Sequence, residues 1–400
     1  MHKHRAISRL PVFSHGFRIF FFSGAVWAAL SMGLWLLAIS GAIALPTRFD
    51  PVSWHAHEFL YGYLFAILSG FLLTAVPNWT GRPPLSGWPL IGLFLLWLLG
   101  RLAVTAAGDL PPMAVFIADS ALVLALAAVL TYEIVSSRNW RNLIIVVLLG
   151  VFAMGNALFH WEAAHGIFAA RGTGLRTGLA AALMMIAVIG GRIVPAFTRN
   201  WLGGQRAGRL PVPPMQPYDK AALAALALAL AGWVMAPDAR ATGILLLIAA
   251  AAHLIRLARW AGERTLSEPL VWVLHVGYAF LPLGALLMAV EIGIAEIRQP
   301  GGLGLATAQH LWMAGAIGLM TLAVMSRATL GHSGRPLRAD AGTCGLYVLL
   351  LIAVGARLMA GIWPAQAQMI HTVAGISWIA SFLGFAVLYA PAPLRAKQHD

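Results

Sequence analysis

Cysteine is almost missing from this 400-residue chain, with Cys344 the only one. That count excludes an internal disulfide, a zinc site built on cysteines and a CxxCH covalent haem attachment. Charge is scarce too: 10% of residues are charged, against about 25% in an ordinary soluble chain. Acidic residues are the rarest part, 14 Asp and Glu against 27 Lys and Arg. Such a chain cannot cover a globular surface of its size with polar groups. Apolar residues make up 60%, and the mean hydropathy is +0.80. Lipid is therefore the main solvent. What the chain does have is 13 histidines, so any metal or haem must be held by nitrogen, oxygen or thioether ligands.

A helix needs about 20 apolar residues to cross the hydrocarbon. Windows of that kind lie near 18–45, 58–77, 88–107, 112–131, 142–162, 176–195, 220–236, 241–258, 268–290, 304–326, 343–361 and 367–390. The expected fold is an all-α polytopic membrane bundle of twelve transmembrane helices, one integral-membrane domain over 1–400. The first window is too long for a signal-peptide core, so it reads as a retained helix, although Gly41 to Ala44 resembles a cleavage site.

With the N-terminus inside, cytoplasmic segments hold most of the basic residues, among them Lys3, Arg5, Arg82, Arg138, Arg209 and Arg259. The opposite face has only Arg48, Arg171, Arg176, Arg240 and Arg298. This bias predicts both termini in the cytoplasm, and it explains the basic excess without nucleic acid. Three span ends, at 75–83, 193–201 and 323–331, each carry a Val followed by Thr and Arg and lie four helices apart. They allow three four-helix units.

Ionisable groups at membrane depth usually mark a pathway, a pair or a ligand site. His57, His310, His160 and His371 share one level, with His55 just before and His165 just after it; His253 and His275 form a second level, and His332 sits in the loop beyond. Imidazole ligates haem iron and copper without help from cysteine. A bis-imidazole haem needs one histidine from each of two helices at matching depth, and His57 and His310 meet that condition. His55 and His57 are two apart, so on a helix they point to different neighbours; only a non-helical segment would let them chelate one ion. His160, His165 and His371 read as interhelical or rim residues, and His2, His4, His15 and His399 as structural or solvated residues in or near the tails. Arg101 and Asp119, at similar depth on adjacent spans, read as a buried structural ion pair.

Three stretches resemble a known family. Trp54-His55-Ala56-His57-Glu58 with Gly70-Phe71-Leu72-Leu73-Thr74-Ala75-Val76-Pro77-Asn78-Trp79-Thr80-Gly81 is similar to the opening signature of the NnrS family. Gly190-Gly191-Arg192-Ile193-Val194-Pro195-Ala196-Phe197-Thr198-Arg199-Asn200 resembles its second signature. His275-Val276-Gly277-Tyr278, His310 and Val324-Met325-Ser326-Arg327-Ala328-Thr329-Leu330-Gly331-His332 resemble its closing one. The resemblance implies a multi-pass protein of the bacterial inner membrane that contains haem and copper and belongs to the nitric oxide response. Carried onto this chain, it points to His55, His57, His275, His310 and His332, with Arg192, Arg199 and Arg327 as basic partners.

Twelve helices with histidines on spans 2 and 10 also resemble the catalytic subunit of haem–copper oxidases. Span 6 here has no histidine, however, and span 7 no adjacent His pair, so that likeness concerns architecture alone.

Two functions follow as expectations. The first is a haem–copper protein that binds or reduces nitric oxide and protects against nitrosative stress. In it, His57 and His310 ligate a non-covalent haem b, His275 and His253 are further haem ligands, and His55 and His332 are copper ligands. Arg192, Arg199 and Arg327 pair with propionates, and electrons come from quinol or another donor. The second is a twelve-helix secondary carrier using intramembrane His and Arg, or a non-catalytic haem-based sensor.

Overall fold

The computed structural model describes residues 11–106, 108–205, 207–296 and 303–391. His2, His4, Lys3, Arg5, Arg298 and His399, named above, lie outside the described residues. Twelve helices are long and apolar enough to cross a membrane. They are α1 (Gly16–Ile39), α2 (Pro51–Thr80), α3 (Trp88–Ala106), α4 (Pro112–Ser136), α5 (Trp140–Ala164) and α6 (Thr173–Leu202), followed by α7 (Pro217–Met235), α8 (Arg240–Ala258), α9 (Pro269–Gly293), α10 (Leu305–His332), α11 (Ala341–Ile362) and α12 (Pro364–Tyr389). No strand occurs among the described residues. The chain is thus an all-α, multi-pass membrane protein.

Local chemistry sets the helix ends. Asp50 caps α2 by accepting from the backbone N–H of Val52 and Ser53 at 3.0 and 2.9 Å, with Pro51 at the first helical position. This start lies seven residues before the apolar window, because a cap and a proline decide it rather than hydropathy. His55 and His57 are consequently helical. At the other end Gly81 adopts φ +70, the left-handed stop that lacks a Cβ penalty.

Two compact units emerge. Unit 1 comprises the described parts of 1–181, 325–336 and 382–400; unit 2 comprises 182–324 and 337–381. In unit 1, α1 packs on α2, and α4 packs on both α3 and α5. In unit 2, α8 packs between α7 and α9, and the middle of α10 lies against α9 and α11.

Three helices stand apart from the rest. α2, α6 and α10 have 30, 30 and 28 residues and are 83%, 67% and 72% buried over their apolar windows, against 56% at most elsewhere. Each contains a π-helical stretch: Glu58–Leu64, Ile186–Gly190 and Leu311–Leu319. These are the same three spans whose ends share a sequence pattern. A π turn carries an extra residue and shifts the helical face, which is why it recurs at functional sites.

Glycines let the α5 and α6 backbones meet inside unit 1. A Cβ added at Gly155 would lie 2.5 Å from Gly178 N, and one at Gly174 would lie 2.2 Å from Phe159 N. Gly174 and Gly178 form a GxxxG pair, the spacing that permits close helix contact in lipid. Gly155→Val should destabilise the fold by about 1–3 kcal/mol, read as a lower melting temperature in detergent. Gly92→Ala, whose Cβ would meet nothing within 4 Å, should melt like the parent. Equal melting of both variants and the parent would refute the close-packing account.

Candidate metal centre

Unit 1 gathers its intramembrane polar groups into one buried cluster. His57 ends the first α-helical stretch of α2, just before the π turn. Its Nε2 lies 3.1 Å from Asp119 Oδ2 on α4 and 3.1 Å from Asn156 Oδ1 on α5, and its Nδ1 lies 3.2 Å from Glu58 Oε1. His160 Nε2 approaches the same Asp119 Oδ2 at 3.0 Å. Asn156 donates to that oxygen at 2.7 Å. Asn156 and His160 are four apart on α5, so they share a face. None of these side chains belongs to a residue more than 7% exposed.

Arg101 on α3 ties the carboxylates together. Its Nη1 donates to Glu58 Oε1 at 2.5 Å, and its Nη2 donates to Asp119 Oδ1. Trp27 Nε1 donates to the other Glu58 oxygen at 2.6 Å. Gly62 makes room for this bridge, since a Cβ there would lie 2.6 Å from both Arg101 Nη1 and Glu58 Oε2. The Arg101–Asp119 pair expected from depth alone is present. It is, however, the support of a larger cluster.

The fixed charges do not cancel. Glu58 and Asp119 bring two negative charges and Arg101 one positive charge. A buried surplus of one negative charge is costly in low dielectric. One further cation, a proton on an imidazole or a metal ion, completes the balance. The geometry accommodates either: both His57 nitrogens face carboxylate oxygens at hydrogen-bond distance, and the same donors are spaced for a metal. One ligand atom each from His57, Asp119 and His160 lies within 4.8 Å of the others. Metal bonds of about 2.0–2.2 Å place neighbouring ligand atoms about 3 Å apart, matching the 3.0 and 3.1 Å imidazole–carboxylate separations here.

A cavity of about 230 Å³ reaches His160, walled by Thr47, Phe49, Val104, Pro112 and Val115. Phe49 covers the cluster from the α1–α2 connection, its ring 5.3 Å from that of His57 and 5.5 Å from that of His160. Thr47 holds that connection by donating to the Val104 carbonyl at 2.6 Å.

The other residues picked from sequence are spread out. His55 stacks on Trp35 at 4.3 Å, so on the helix it serves a different neighbour from His57. His57 belongs to unit 1, whereas His310 belongs to unit 2 and lies beside Arg357, which also contacts His371. His253 is hydrogen-bonded at both ring nitrogens, Nδ1 to the Tyr278 hydroxyl at 2.9 Å and Nε2 to the Ala222 carbonyl at 3.1 Å. Arg256, also buried, donates to Asp219 at 2.9 Å and to the Tyr278 hydroxyl at 2.8 Å. His275 Nε2 contacts the Thr198 hydroxyl at 2.8 Å, while its Nδ1 has no hydrogen-bond partner. His332 is exposed and lies against the Phe17 ring at 5.5 Å. Arg192 and Arg327 are half-buried, and Arg199 is exposed and donates to the Pro211 carbonyl.

The expected haem ligands do not fit a porphyrin as they stand. His57 Nε2 faces Asp119 and Asn156, and its ring is ringed by Phe49, Tyr61, Phe159 and His160 at 5.1–5.3 Å. His253 has no free nitrogen. The open His275 Nδ1 faces Gly262, where a Cβ would lie only 2.6 Å away, too close for a macrocycle. The sequence reads His160 as an interhelical or rim residue, and its contact with Asp119 on α4 is interhelical; it does not connect Asn156 or Glu58 to a site. The Asn156/His160 spacing, at the depth of Asp119, was the available signal.

No curated protein matches this chain. The family model described as NnrS protein matches residues 11–397, and so the chain belongs to the NnrS family.

Proposed function

We propose that this membrane protein of the nitric oxide response holds a copper ion between His57, His160 and Asp119 and binds nitric oxide there. Family membership supports the general role. The observation that carries the finer reading is the uncompensated negative charge of a buried cluster whose three donor atoms lie within 4.8 Å of one another. Two imidazoles and a carboxylate suit first-row transition metals, and among the divalent ions copper binds such donors most strongly. Bound copper would supply a one-electron centre with affinity for a diatomic ligand.

The chain's own residues have distinct tasks. His57, His160 and Asp119 provide the donors. Glu58, beside His57 Nδ1, fixes the orientation of that ring, and Arg101 fixes both carboxylates; such outer partners tune affinity by 10–100-fold, roughly. The cavity at His160 admits a small uncharged ligand, and Phe49 keeps bulk water from the cluster. We place the protein in the bacterial inner membrane with both termini cytoplasmic, in line with the distribution of Lys and Arg. A lipid-soluble quinol is the electron donor that suits it, since the sequence carries no flavin, iron–sulfur or covalent haem motif.

Copper analysis of the purified chain tests the centre. The parent should hold about one copper per chain, and His160→Ala and Asp119→Asn should each lose at least about tenfold in affinity, by analogy with partner losses at metal sites. His332→Ala should retain the metal. Copper binding that is equal in all four proteins would sink the assignment.

Access can be tested separately. Val115→Phe narrows the cavity without touching a donor, so copper content should hold while nitric oxide binding slows several-fold, measured by stopped-flow spectroscopy. An unchanged rate would mean that the ligand enters by another route.

A further inference from the structure

Unit 2 covers an unsatisfied imidazole with a turn of the chain. His275, on α9, is 8% exposed, and its Nε2 lies 2.8 Å from the Thr198 hydroxyl on α6. That hydroxyl donates its one proton to the Val194 carbonyl at 2.9 Å, so it accepts from His275 Nε2–H. Nδ1 therefore carries a bare lone pair, and no hydrogen-bond donor meets it. A buried acceptor without a donor is costly and rare. Gly262, in the α8–α9 connection, stands over this nitrogen, where a Cβ would lie 2.6 Å from Nδ1. The glycine methylene thus takes the place of a partner.

The covering turn is itself strained. Ala261, next to Gly262, has φ +54 and ψ +37, the left-handed region that disfavours a residue with a Cβ. The turn lies between two buried anchors, Trp260, whose ring is 4.6 Å from that of Tyr278, and Thr265. The α6–α7 connection clasps it from outside. Arg209 Nη2 donates to Glu263 Oε1 and Oε2 at 2.8 and 2.7 Å, and Arg264 Nη1 donates to the Arg209 carbonyl at 2.6 Å. The Arg209 and Glu263 side chains are 53% and 57% exposed, so this clasp is weak and sensitive to salt.

We propose that residues 261–264 form a lid over His275. With the Arg209–Glu263 clasp closed, Gly262 blocks Nδ1; with it open, that nitrogen meets ligands from the aqueous face of unit 2. An imidazole whose Nε2–H is fixed by a hydroxyl and whose Nδ1 is bare is poised for an electron-pair acceptor such as a transition-metal ion. The strain at Ala261 and the unanswered lone pair oppose the closed form, whereas the clasp favours it. The balance between them is small enough for a local opening that leaves the helices in place.

The full-length protein in neutral detergent provides the test, with diethyl pyrocarbonate as the probe, since it acylates an unprotonated imidazole nitrogen. Mass spectrometry follows the rate at each histidine, and exposed His165 is the internal reference. In the parent, His275 should react far more slowly than His165. Arg209→Gln should speed His275 by about two- to fivefold, the weight of an exposed ion pair. Raised sodium chloride should do the same in the parent but not in Arg209→Gln. Gly262→Ala, which presses a Cβ onto the ring, should also speed it. Ala261→Gly, which relieves the left-handed strain, should slow it by about fivefold. Glu263→Ala gives the same readout if Arg209→Gln does not fold. The proposal is overturned if His275 reacts as fast as His165 in the parent, or if breaking the clasp leaves its rate unchanged. The unit 1 centre plays no part in this measurement.

Discussion

Charge balance within lipid is the constraint on which unit 1 depends. Arg101 meets Glu58 on α2 and Asp119 on α4 with one guanidinium, so three helices converge on a single cation. Their approach needs residues without side chains. Gly62 lets the guanidinium pass, and Gly100 lets α3 reach α4, since a Cβ there would lie 3.1 Å from Asp119 Cα. Breaking such a pair by removing one partner leaves a buried, unanswered charge, which costs far more than an exposed pair gains. The glycines and the ion pair are therefore one device: close packing excludes water, and the exclusion of water makes the charges decisive.

The π stretches show how neighbours in sequence can serve one site. Successive residues of an α-helix point about 100° apart. His57 and Glu58 nevertheless meet, Nδ1 to Oε1 at 3.2 Å, where the α-helical part of α2 gives way to Glu58–Leu64. In α6 the stretch Ile186–Gly190 presents the Ala187 carbonyl to Arg256 Nη1 at 2.9 Å. In α10 the stretch Leu311–Leu319 begins directly after His310. Each of the three most buried helices thus changes its winding beside a polar anchor.

The span count was legible because it depends only on composition over about 20 residues, and residues 11–391 fold accordingly wherever they are described. The Arg101–Asp119 pair was legible because depth along a helix is a linear function of position. Pairing across non-adjacent spans was not. Which face of α5 carries His160, and which helix that face meets, depends on the rotation of whole helices, and hydropathy is nearly blind to rotation in a bundle with lipid on one side and apolar core on the other. For the same reason His57 was assigned a histidine partner on α10, whereas its partners in unit 1 are Asp119 and Asn156. His253 was misleading in another way. Its depth suggested a ligand, but Tyr278 and the Ala222 carbonyl use both nitrogens, and only coordinates reveal a bond to a backbone oxygen.

Counting only groups whose charge is fixed, Glu58, Asp119 and Arg101 leave the unit 1 cluster short of a positive charge. In the copper reading this count also bears on oxidation state. A monovalent ion completes the unit 1 balance by itself. A divalent ion leaves one positive charge in excess, which low dielectric penalises unless an anionic ligand accompanies it. The cavity at His160 is where such a ligand would arrive. Because Asp119 is held by Arg101 and by both imidazoles, occupancy on this reading would change the charge of the cluster more than its shape.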